Sequence, residues 1–383
     1  MFSGRSGNIP PFIVMEILEK AMALEKEGRD IIHMEVGEPD FDTPDCIKQA
    51  ACRALQEGST HYTSSLGLPE LREAVALHYR EKYGVDIDPE RVVVTSGTSP
   101  ALLLVYAALL DPGDEIILSD PGYACYPNMV EFVDGKPVRV PVFEEDGFAY
   151  RHPDIAARLS PRTRGIMINS PSNPTGNLLD VDTMRDIASL SCRGLYVISD
   201  EIYHGLVYEG KEHSILEFTD HAFVVNGFSK LYAMTGWRLG YLIAPLPFVR
   251  PIQKMQQNLF ISANSFVQHA GIAALREAGP DVERMRLLYD QRRRLLLEGI
   301  KRLGFGVRVE PQGAFYVLAN ARAFTSDSYA FALELLEGAR VAVTPGIDFG
   351  KGGEGYIRFS YTTSLENIQE GLERLSAYLE GRR

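Results

Sequence analysis

The stretch Asn226–Gly240 reads NGFSKLYAMTGWRLG, and the rest of the chain is organised around it. A short aromatic and β-branched run, Phe223–Val225, precedes it and predicts the end of a buried strand. Lys230 follows in a loop of small residues, and Arg238 stands between two glycines. Because burial lowers the pKa of an amine, and a neutral amine attacks carbonyl groups, this lysine is a candidate nucleophile. An arbitrary loop lysine is more often a surface residue. The remainder of the chain therefore has to show whether Lys230 is a surface lysine or a buried nucleophile.

The composition is that of an ordinary globular protein. The chain has 383 residues, of which 45% are hydrophobic and 23% charged, enough for a large core and two domains. The formal net charge is -12, without a basic block, so neither nucleic acid nor a membrane is an expected partner. No apolar run reaches about 18 residues, and the first residues lack the apolar core of a signal peptide. We therefore expect a cytoplasmic protein.

The cysteines form neither a disulfide framework nor a metal site in the sequence. None belongs to a CxxC pair, and none stands near a pair of histidines, so no metal is expected. We interpret all four as reduced, mostly buried thiols: Cys46, Cys52, Cys125 and Cys192.

Strands and helices alternate from residue 92 onward, which predicts a mostly parallel sheet covered by helices. The predicted strands are 92–95, 115–118, 137–140, 165–168, 195–199 and 223–225, and a further apolar run spans 241–244. The unusual polar residues stand where these strands finish. Ligands bind at that edge in open α/β sheets, so we expect the functional site there.

The pattern changes after Pro245. A long helix is predicted from about Pro280 to Leu303, with a charged face of Arg284, Arg286, Asp290, Arg292 and Arg293. Short strands at 307–309, 315–318, 341–343 and 356–359 and a closing helix at 364–380 predict a smaller α+β domain. We expect residues 1–40 to form an N-terminal arm and part of the small domain, 41–285 the large domain, and 286–383 the C-terminal small domain.

Two positions near strand ends carry polar residues that could bind a ligand or cap a helix. Ser96, Gly97 and Thr98 lie between a strand and a helix start, where backbone N–H groups and two hydroxyls can bind phosphate. A simple N-cap explains these residues equally well when they are taken alone. Asp200 follows a strand, and in isolation a helix cap is its better interpretation.

The lysine stretch resembles the pyridoxal-phosphate attachment segment of the class I and II aminotransferases, the aspartate and aromatic aminotransferases among them. Gly227-Phe228-Ser229-Lys230 and Gly236-Trp237-Arg238-Leu239-Gly240 fill the family's pattern without a gap. The resemblance continues in family order from Val36 to Ser360. It implies fold type I, with a mostly parallel seven-stranded sheet sandwiched by helices and a smaller α+β domain. It also implies pyridoxal 5'-phosphate as cofactor and a homodimer with shared active sites.

The resemblance gives roles to the residues expected around the cofactor ring. Lys230 resembles the lysine that forms a Schiff base with the cofactor. Asp200 resembles the carboxylate that keeps the pyridine nitrogen protonated, so that the ring can accept electrons. Tyr203 and Asn173 match the partners of the phenolic oxygen, and Tyr123 matches the aromatic residue stacked on the ring.

Further positions match the residues that bind the phosphate and the substrate. The phosphate cup matches Ser96, Gly97, Thr98 and Arg238. Many relatives have a serine three residues before the lysine, where this chain has Gly227, and Ser229 is the candidate replacement. Tyr62 matches a tyrosine that reaches the phosphate from the neighbouring subunit. Arg358 matches the arginine that binds the substrate α-carboxylate, and Gly37 matches a glycine lining the substrate pocket.

The activity implied is transfer of an amino group from an L-amino acid to a 2-oxo acid such as 2-oxoglutarate, by a ping-pong mechanism. A pyridoxal-dependent β-lyase or an aminocyclopropane-carboxylate-synthase-like enzyme would use the same residues. A transcription regulator on this fold would need a DNA-binding segment, for which no room is expected before Ile13. A catalytically silent binding protein is disfavoured by the presence of Lys230.

The donor amino acid stays open at this point. Aspartate, aromatic amino acids and alanine are all compatible with the sequence, because no second cation can be placed opposite a side-chain carboxylate. The arm around residues 9–15 is expected to cover the pocket. Its Ile9, Phe12 and Ile13 suggest tolerance for apolar or aromatic side chains.

Overall fold

The computed structural model describes residues 3–191 and 194–382. The helices are α1 (Gly4–Asn8), α2 (Ile13–Lys26), α3 (Asp45–Gln56), α4 (Pro69–Tyr83), α5 (Thr98–Leu109), α6 (Cys125–Phe132), α7 (His152–Ala156), α8 (Val181–Ser191), α9 (Leu246–Leu259), α10 (Ser265–Glu277), α11 (Gly279–Leu303), α12 (Ser328–Glu334) and α13 (Leu365–Gly381). The strands are β1 (Ile32–His33), β2 (Val92–Thr95), β3 (Glu115–Asp120), β4 (Lys136–Pro141), β5 (Thr163–Asn169), β6 (Tyr196–Asp200), β7 (Ala222–Gly227), β8 (Gly240–Ile243), β9 (Tyr316–Asn320), β10 (Val341–Ala342), β11 (Thr344–Pro345) and β12 (Tyr356–Ser360).

A seven-stranded sheet in the order β2-β8-β7-β6-β5-β3-β4 forms the centre of the fold. Only β8 runs antiparallel to its neighbours. The inner strands are buried on both faces, as their continuous apolar sequences require. The predicted mostly parallel, seven-stranded sheet is confirmed. The carboxyl ends of β5, β6 and β7 place Asn169, Asp200 and Gly227 along one edge.

The remaining strands form two small sheets. β11, β12 and β9 make an antiparallel sheet that carries Arg358, and β1 pairs in parallel with β10. Since β1 lies near the N-terminus and β10 near the C-terminus, this pairing joins the two ends of the chain.

Several predicted elements differ in the structure. The run predicted as strand 307–309 is not a strand, because a single bridge between Gly306 and Asn320 is all that pairs there. The strand predicted at 341–343 is observed as β10, and β11 begins one residue after the predicted end and belongs to a different sheet. Helices α9 and α10 had no counterpart in the prediction.

The charged face predicted for α11 is only partly exposed. Arg292 and Arg293 are 4% and 1% exposed, so both lie inside the protein. Each guanidinium is neutralised by carboxylates: Arg292 pairs with Asp40, and Arg293 pairs with Asp290 and Glu209. A buried arginine is tolerated when it is paired in this way.

The three cysteines among the described residues are free thiols, but they are less buried than predicted. Cys46 and Cys125 are half-buried and Cys52 is exposed, whereas Cys192 lies outside the described residues. Within residues 3–191 and 194–382, no group of three or more potential metal-binding side chains occurs. None of the helices described is both long and apolar enough to span a bilayer.

Candidate active site

A cavity of about 210 Å³ opens at the carboxyl edge of the central sheet. Most of the residues that the sequence predicts for the site line it: Gly37, Thr98, Tyr123, Asn173, Asp200, Tyr203, Lys230 and Arg358. They come from β6, from the loops around the sheet and from the distant β12. The structure therefore brings together Gly37 and Arg358, which are more than 300 positions apart in the sequence.

Lys230 lies in the wall of the cavity between β7 and β8. Its Nζ donates a hydrogen bond to the Gly37 carbonyl at 2.8 Å and lies 5.9 Å from the centre of the Phe315 ring. Burial lowers the pKa of the Lys230 amine from 10.5 to about 8; Glu38 opposes this effect, and Arg358 and Arg238 reinforce it. A substantial fraction of this amine is neutral at physiological pH, as a nucleophile or a general base requires.

This lowered pKa predicts unusual reactivity in the cofactor-free protein. Only a neutral amine reacts with trinitrobenzenesulfonate, so labelling of Lys230 should rise with pH and reach half its maximum near pH 8. Ordinary exposed lysines titrate near pH 10.4. Peptide mapping after labelling at a series of pH values measures the labelling of Lys230 and, as an internal reference, of the exposed Lys254 on α9. A Lys230 profile that coincides with that of Lys254 would contradict the expectation.

Gly37 approaches Tyr316 so closely that no side chain fits at this position. A Cβ on Gly37 would lie 1.7 Å from the Tyr316 hydroxyl. The Tyr316 hydroxyl in turn is 2.9 Å from that of Tyr203. Tyr316 was not predicted from the sequence, because it lies on β9 without a motif that marks it. Tyr316 therefore contacts both the segment that contains Gly37 and Tyr203, the predicted partner of the phenolic oxygen.

Asp200 is a buried carboxylate at the end of β6. Its Oδ2 accepts a hydrogen bond from the Tyr126 hydroxyl at 2.7 Å, and its Oδ1 accepts one from the Ile202 N–H at 3.1 Å. Burial raises the pKa of Asp200 to about 6, although the bond from Tyr126 opposes the rise. Asp200 begins no helix, so the helix-cap interpretation fails. A carboxylate held in this way suits a cationic N–H partner such as a pyridinium.

Tyr126 was also missed in the sequence. Its ring lies 5.1 Å from that of Tyr123, which stands three residues earlier and just before α6. No sequence motif marks Tyr126. Tyr123 lines the cavity, and Tyr126 supports both that aromatic wall and Asp200.

Arg358 is the most deeply buried cation in the cavity wall, at 3% exposure. Its Nη1 donates to Asn173 Oδ1 at 2.9 Å, and its Nη2 donates to the Glu35 carbonyl and to Thr344 Oγ1. The guanidinium stacks on Tyr316 and Phe349, with the ring centres at 4.3 and 4.9 Å.

No carboxylate pairs with Arg358 within the part of the chain that the structure describes, and its Nε has no hydrogen-bond partner there. A buried guanidinium normally has an anionic partner, because desolvating an unpaired charge is costly. The wall beside Lys230 is therefore built to receive an anion, and a carboxylate matches the guanidinium fork.

A second anion cradle lies at the start of α5. Gly97 has φ +99° and occupies the N-cap position without a side-chain cap, so the simple Ser or Thr cap considered for this turn is not formed. The Arg238 Nη2 lies 2.6 Å from the point that a Gly97 Cβ would occupy. Free N–H groups at a helix start with a guanidinium beside them fit a phosphate.

The same cradle explains the glycine that departs from the family pattern. Gly227 pairs directly with Gly240, and a Cβ on Gly227 would lie 3.0 Å from the Gly240 Cα. Gly240 itself leaves no room next to Gly97. The backbones of Gly97, Gly227 and Gly240 therefore come into contact beside the cradle. Ser229 is buried outside the cavity lining, and its part in binding phosphate stays a prediction.

Tyr62 does not reach the cavity of its own chain. It is 82% exposed, which makes it one of the most accessible aromatic side chains among the described residues. A large aromatic side chain held in solvent is consistent with the predicted contact to a neighbouring subunit.

The N-terminal arm closes the cavity with only one of the three apolar residues named from the sequence. Phe12, Val14 and Met15 line it, and the Phe12 ring contacts the Tyr123 ring edge-on at 6.1 Å. Ile9 is instead exposed beside a separate groove, and Ile13 packs on the core. The expectation of an apolar cover holds for Phe12 but was wrong for Ile9 and Ile13.

Comparison with known proteins gives a consistent result. The sequence pattern of the family described as "Aminotransferase class I and II" matches residues 29–375. A (5-formylfuran-3-yl)methyl phosphate transaminase of Methanocaldococcus jannaschii is 44% identical, over 99% of this chain and all of the relative. An aspartate aminotransferase of Pyrococcus horikoshii is 42% identical, over 96% of this chain and 94% of the relative. The aspartate aminotransferase of Thermus thermophilus solved with maleate superposes with a TM-score of 0.95 at 39% identity, covering 99% of both chains.

Proposed function

Because the chain belongs to the class I and II aminotransferase family and is an aminotransferase, we propose that it exchanges an amino group between an L-amino acid and a 2-oxo acid with pyridoxal 5'-phosphate as cofactor. The observation that carries this proposal is that one cavity is lined both by a lysine whose pKa is lowered by burial and by an arginine that has no carboxylate partner among the described residues. The transcription regulator and the silent binding protein considered from the sequence are set aside.

The residues around the cavity fit this cofactor. Lys230 would hold its aldehyde carbon, Asp200 its ring nitrogen, and Tyr203 and Asn173 its phenolic oxygen. Tyr123 would lie against the ring. The phosphate group would be bound by Ser96, Gly97, Thr98, Ser229 and Arg238, with Tyr62 of a second subunit in a homodimer. Pyridoxal phosphate, when bound, supplies an electron-accepting ring that stabilises negative charge on the substrate Cα.

The protein's own groups then bind the substrate and move its proton. Arg358 binds the α-carboxylate of the amino acid in a forked pair, which aims the Cα–H bond at Lys230. The neutral Nζ of Lys230 takes the proton from Cα and holds it for return. Asp200 stays ionised beside the ring nitrogen. The aromatic residues Phe12 and Tyr123 exclude water from the reacting atoms.

One site serves both substrates in this scheme. The amino acid and the 2-oxo acid each carry a carboxylate beside the reacting carbon, so Arg358 can bind either of them. We propose a ping-pong order on this ground.

We also propose the domain division 1–40, 41–285 and 286–383, which the pairing of β1 with β10 supports. We further propose a reducing cytoplasmic location, which the free thiols support.

A neutral apolar or aromatic donor fits the cavity better than aspartate. Phe12, Val14, Met15 and Val36 give the cavity an apolar part, and the cations among the lining residues are Lys230 and Arg358, which have other roles. A second substrate carboxylate would be desolvated there without a counter-charge.

The donor preference and the reaction are tested together. With 2-oxoglutarate as acceptor, we expect kcat/KM for phenylalanine or tyrosine to exceed that for aspartate at least ~10-fold, equivalent to about 1.4 kcal/mol. A higher value for aspartate would refute the donor class but leave transamination intact. Without acceptor, one equivalent of donor should convert the cofactor to its amine form. A β-lyase would instead release ammonia continuously, and an aminocyclopropane-carboxylate-synthase-like enzyme would consume its donor without transferring the amino group.

A further inference from the structure

The segment Val36–Thr43 begins at the cavity, which Val36 and Gly37 line, and it places the Gly37 carbonyl 2.8 Å from the Lys230 Nζ. Its backbone makes few hydrogen bonds. Within the described residues, no backbone–backbone hydrogen bond involves residues 36–43. The Val36 carbonyl accepts a bond from Thr362 Oγ1 at 3.1 Å, and Lys230 reaches the Gly37 carbonyl. A segment without ladder or turn bonds takes its position from side-chain contacts.

Thr43 Oγ1 donates to the Ala233 carbonyl at 2.6 Å and accepts from Trp237 Nε1 at 2.9 Å, and Thr235 donates to Glu38, so the lysine loop holds part of the segment. The contact that joins the segment to α11 is the ion pair between Asp40 and Arg292. Arg292 Nη1 and Nη2 donate to the two oxygens of Asp40 at 2.6 and 2.8 Å, a parallel forked geometry. The Arg292 side chain is 5% exposed and that of Asp40 is 30% exposed. Forked, charge-assisted pairs fix direction as well as distance. Solvent screens this pair less than a surface pair.

A series of packed aromatic rings connects Arg292 to the surroundings of Lys230. The Arg292 guanidinium lies over Phe41 and Tyr289, with ring centres at 5.0 and 5.6 Å. Tyr289 packs against Phe41 at 5.1 Å and against Phe315 at 5.6 Å. Phe315 is the ring that faces the Lys230 amine. Arg292 on α11 therefore holds both the segment that supplies the Gly37 carbonyl and the ring stack beneath Lys230.

We propose that Asp40 and Arg292 are a positioning pair for the aminotransferase reaction, which fixes the Gly37 carbonyl and the Phe315 ring around the Lys230 amine. The pair touches neither substrate nor cofactor. It acts on the chemical step through Lys230, while Arg358 binds the substrate independently. The proposal rests on the proposed role of Lys230 and adds that the Asp40–Arg292 pair keeps the groups around this amine in place.

The test compares Asp40→Asn, Arg292→Gln and Arg292→Lys with a matched control. Arg293→Gln is that control, since Arg293 is the next residue of α11, is equally buried, and pairs with Glu209 and Asp290 away from the cavity. Trinitrobenzenesulfonate labelling of the cofactor-free proteins measures the titration midpoint of Lys230 without any catalysis. Steady-state kinetics of the loaded proteins and thermal unfolding complete the comparison.

We expect Asp40→Asn and Arg292→Gln to raise the labelling midpoint of Lys230 by at least about half a pH unit, because the amine loses part of the burial that lowers its pKa. Their kcat should fall about 10- to 100-fold, the effect of misplacing a reacting group by ~1 Å, with KM changed less than about threefold. Arg292→Lys, which keeps the charge but not the fork, should recover part of kcat. Combining Asp40→Asn with Arg292→Gln should cost little more than either alone.

Arg293→Gln should lower the melting temperature while leaving the midpoint and kcat near the wild-type values. The proposal is overturned if Asp40→Asn behaves like Arg293→Gln, losing stability without any shift of the midpoint or of kcat. Because Asp40 is partly exposed, we expect Asp40→Asn to fold, so its labelling midpoint and kcat test the proposal even if Arg292→Gln does not fold. If the wild-type protein shows no lowered midpoint at all, the proposed role of Lys230 fails instead, which is a distinguishable result.

Discussion

Replacing Lys230 with alanine is expected to lower the rate of transamination about 100- to 10,000-fold, the usual contribution of a positioned acid–base group. The physical reason is that Lys230 supplies the only amine among the described residues that line the cavity, so no other lysine there can take the proton from the substrate Cα. Single-turnover conversion of the cofactor, followed by absorbance, measures this step directly. Lys230→Arg should be equally inactive, because a guanidinium cannot become neutral.

Two controls separate loss of the amine from loss of the fold. Lys254→Ala changes an exposed lysine on α9 and should retain full activity. A small primary amine such as methylamine, added to Lys230→Ala, should restore part of the rate, since truncation leaves room in a cavity of about 210 Å³. Full activity of Lys230→Ala without added amine would show that the proton is moved by another group.

The second large effect is expected at Arg358. Arg358→Gln should lower kcat/KM for amino acids about 30- to 3,000-fold, corresponding to the 2–5 kcal/mol typical of breaking a buried, hydrogen-bonded charge pair. Arg358→Lys keeps the charge but loses the fork, so an intermediate loss is expected. The measurement is the steady-state kcat/KM of each variant with the same donor.

An amino acid amide distinguishes binding of the carboxylate from a general disturbance. The wild-type protein should strongly prefer the acid over its amide, because only the acid is ionised opposite Arg358. In Arg358→Gln, activity with the amide should fall much less than activity with the acid, so that the preference nearly disappears. An unchanged preference would mean that the carboxylate is bound elsewhere.

The central sheet was predictable from the sequence because its signals are local. β2, β3, β5, β6 and β7 are short β-branched runs ended by polar or glycine residues, and each was predicted at nearly its observed position. The lysine loop and Asp200 could be found for the same reason, since strand ends in a parallel sheet meet at one edge.

The prediction failed where tertiary contacts override local pattern. Arg292 and Arg293 read as a solvent-facing charge cluster, yet carboxylates from other segments neutralise them inside the protein. The run 307–309 contains two valines but finds no partner strand. β-Propensity describes fit to a neighbouring strand, and the sequence does not say whether that neighbour exists.

The support around the reacting groups could not be predicted either. Tyr316 contacts Gly37 and Tyr203, and the Glu35 carbonyl and Thr344 hold Arg358. These residues belong to no motif, because their roles depend on which strands the fold places side by side. The arm shows the same limit: its apolar character was readable, but helix α2 decides that Phe12, Val14 and Met15 face the cavity.

The central claim is that Lys230 carries the cofactor through a carbon–nitrogen bond. Borohydride reduction of the protein loaded with pyridoxal phosphate turns that bond into a stable amine, and peptide mapping by mass spectrometry then locates it. We predict one phosphopyridoxyl group per chain, on Lys230. Modification of a different lysine, or a reduced protein that carries no such group, would contradict the claim.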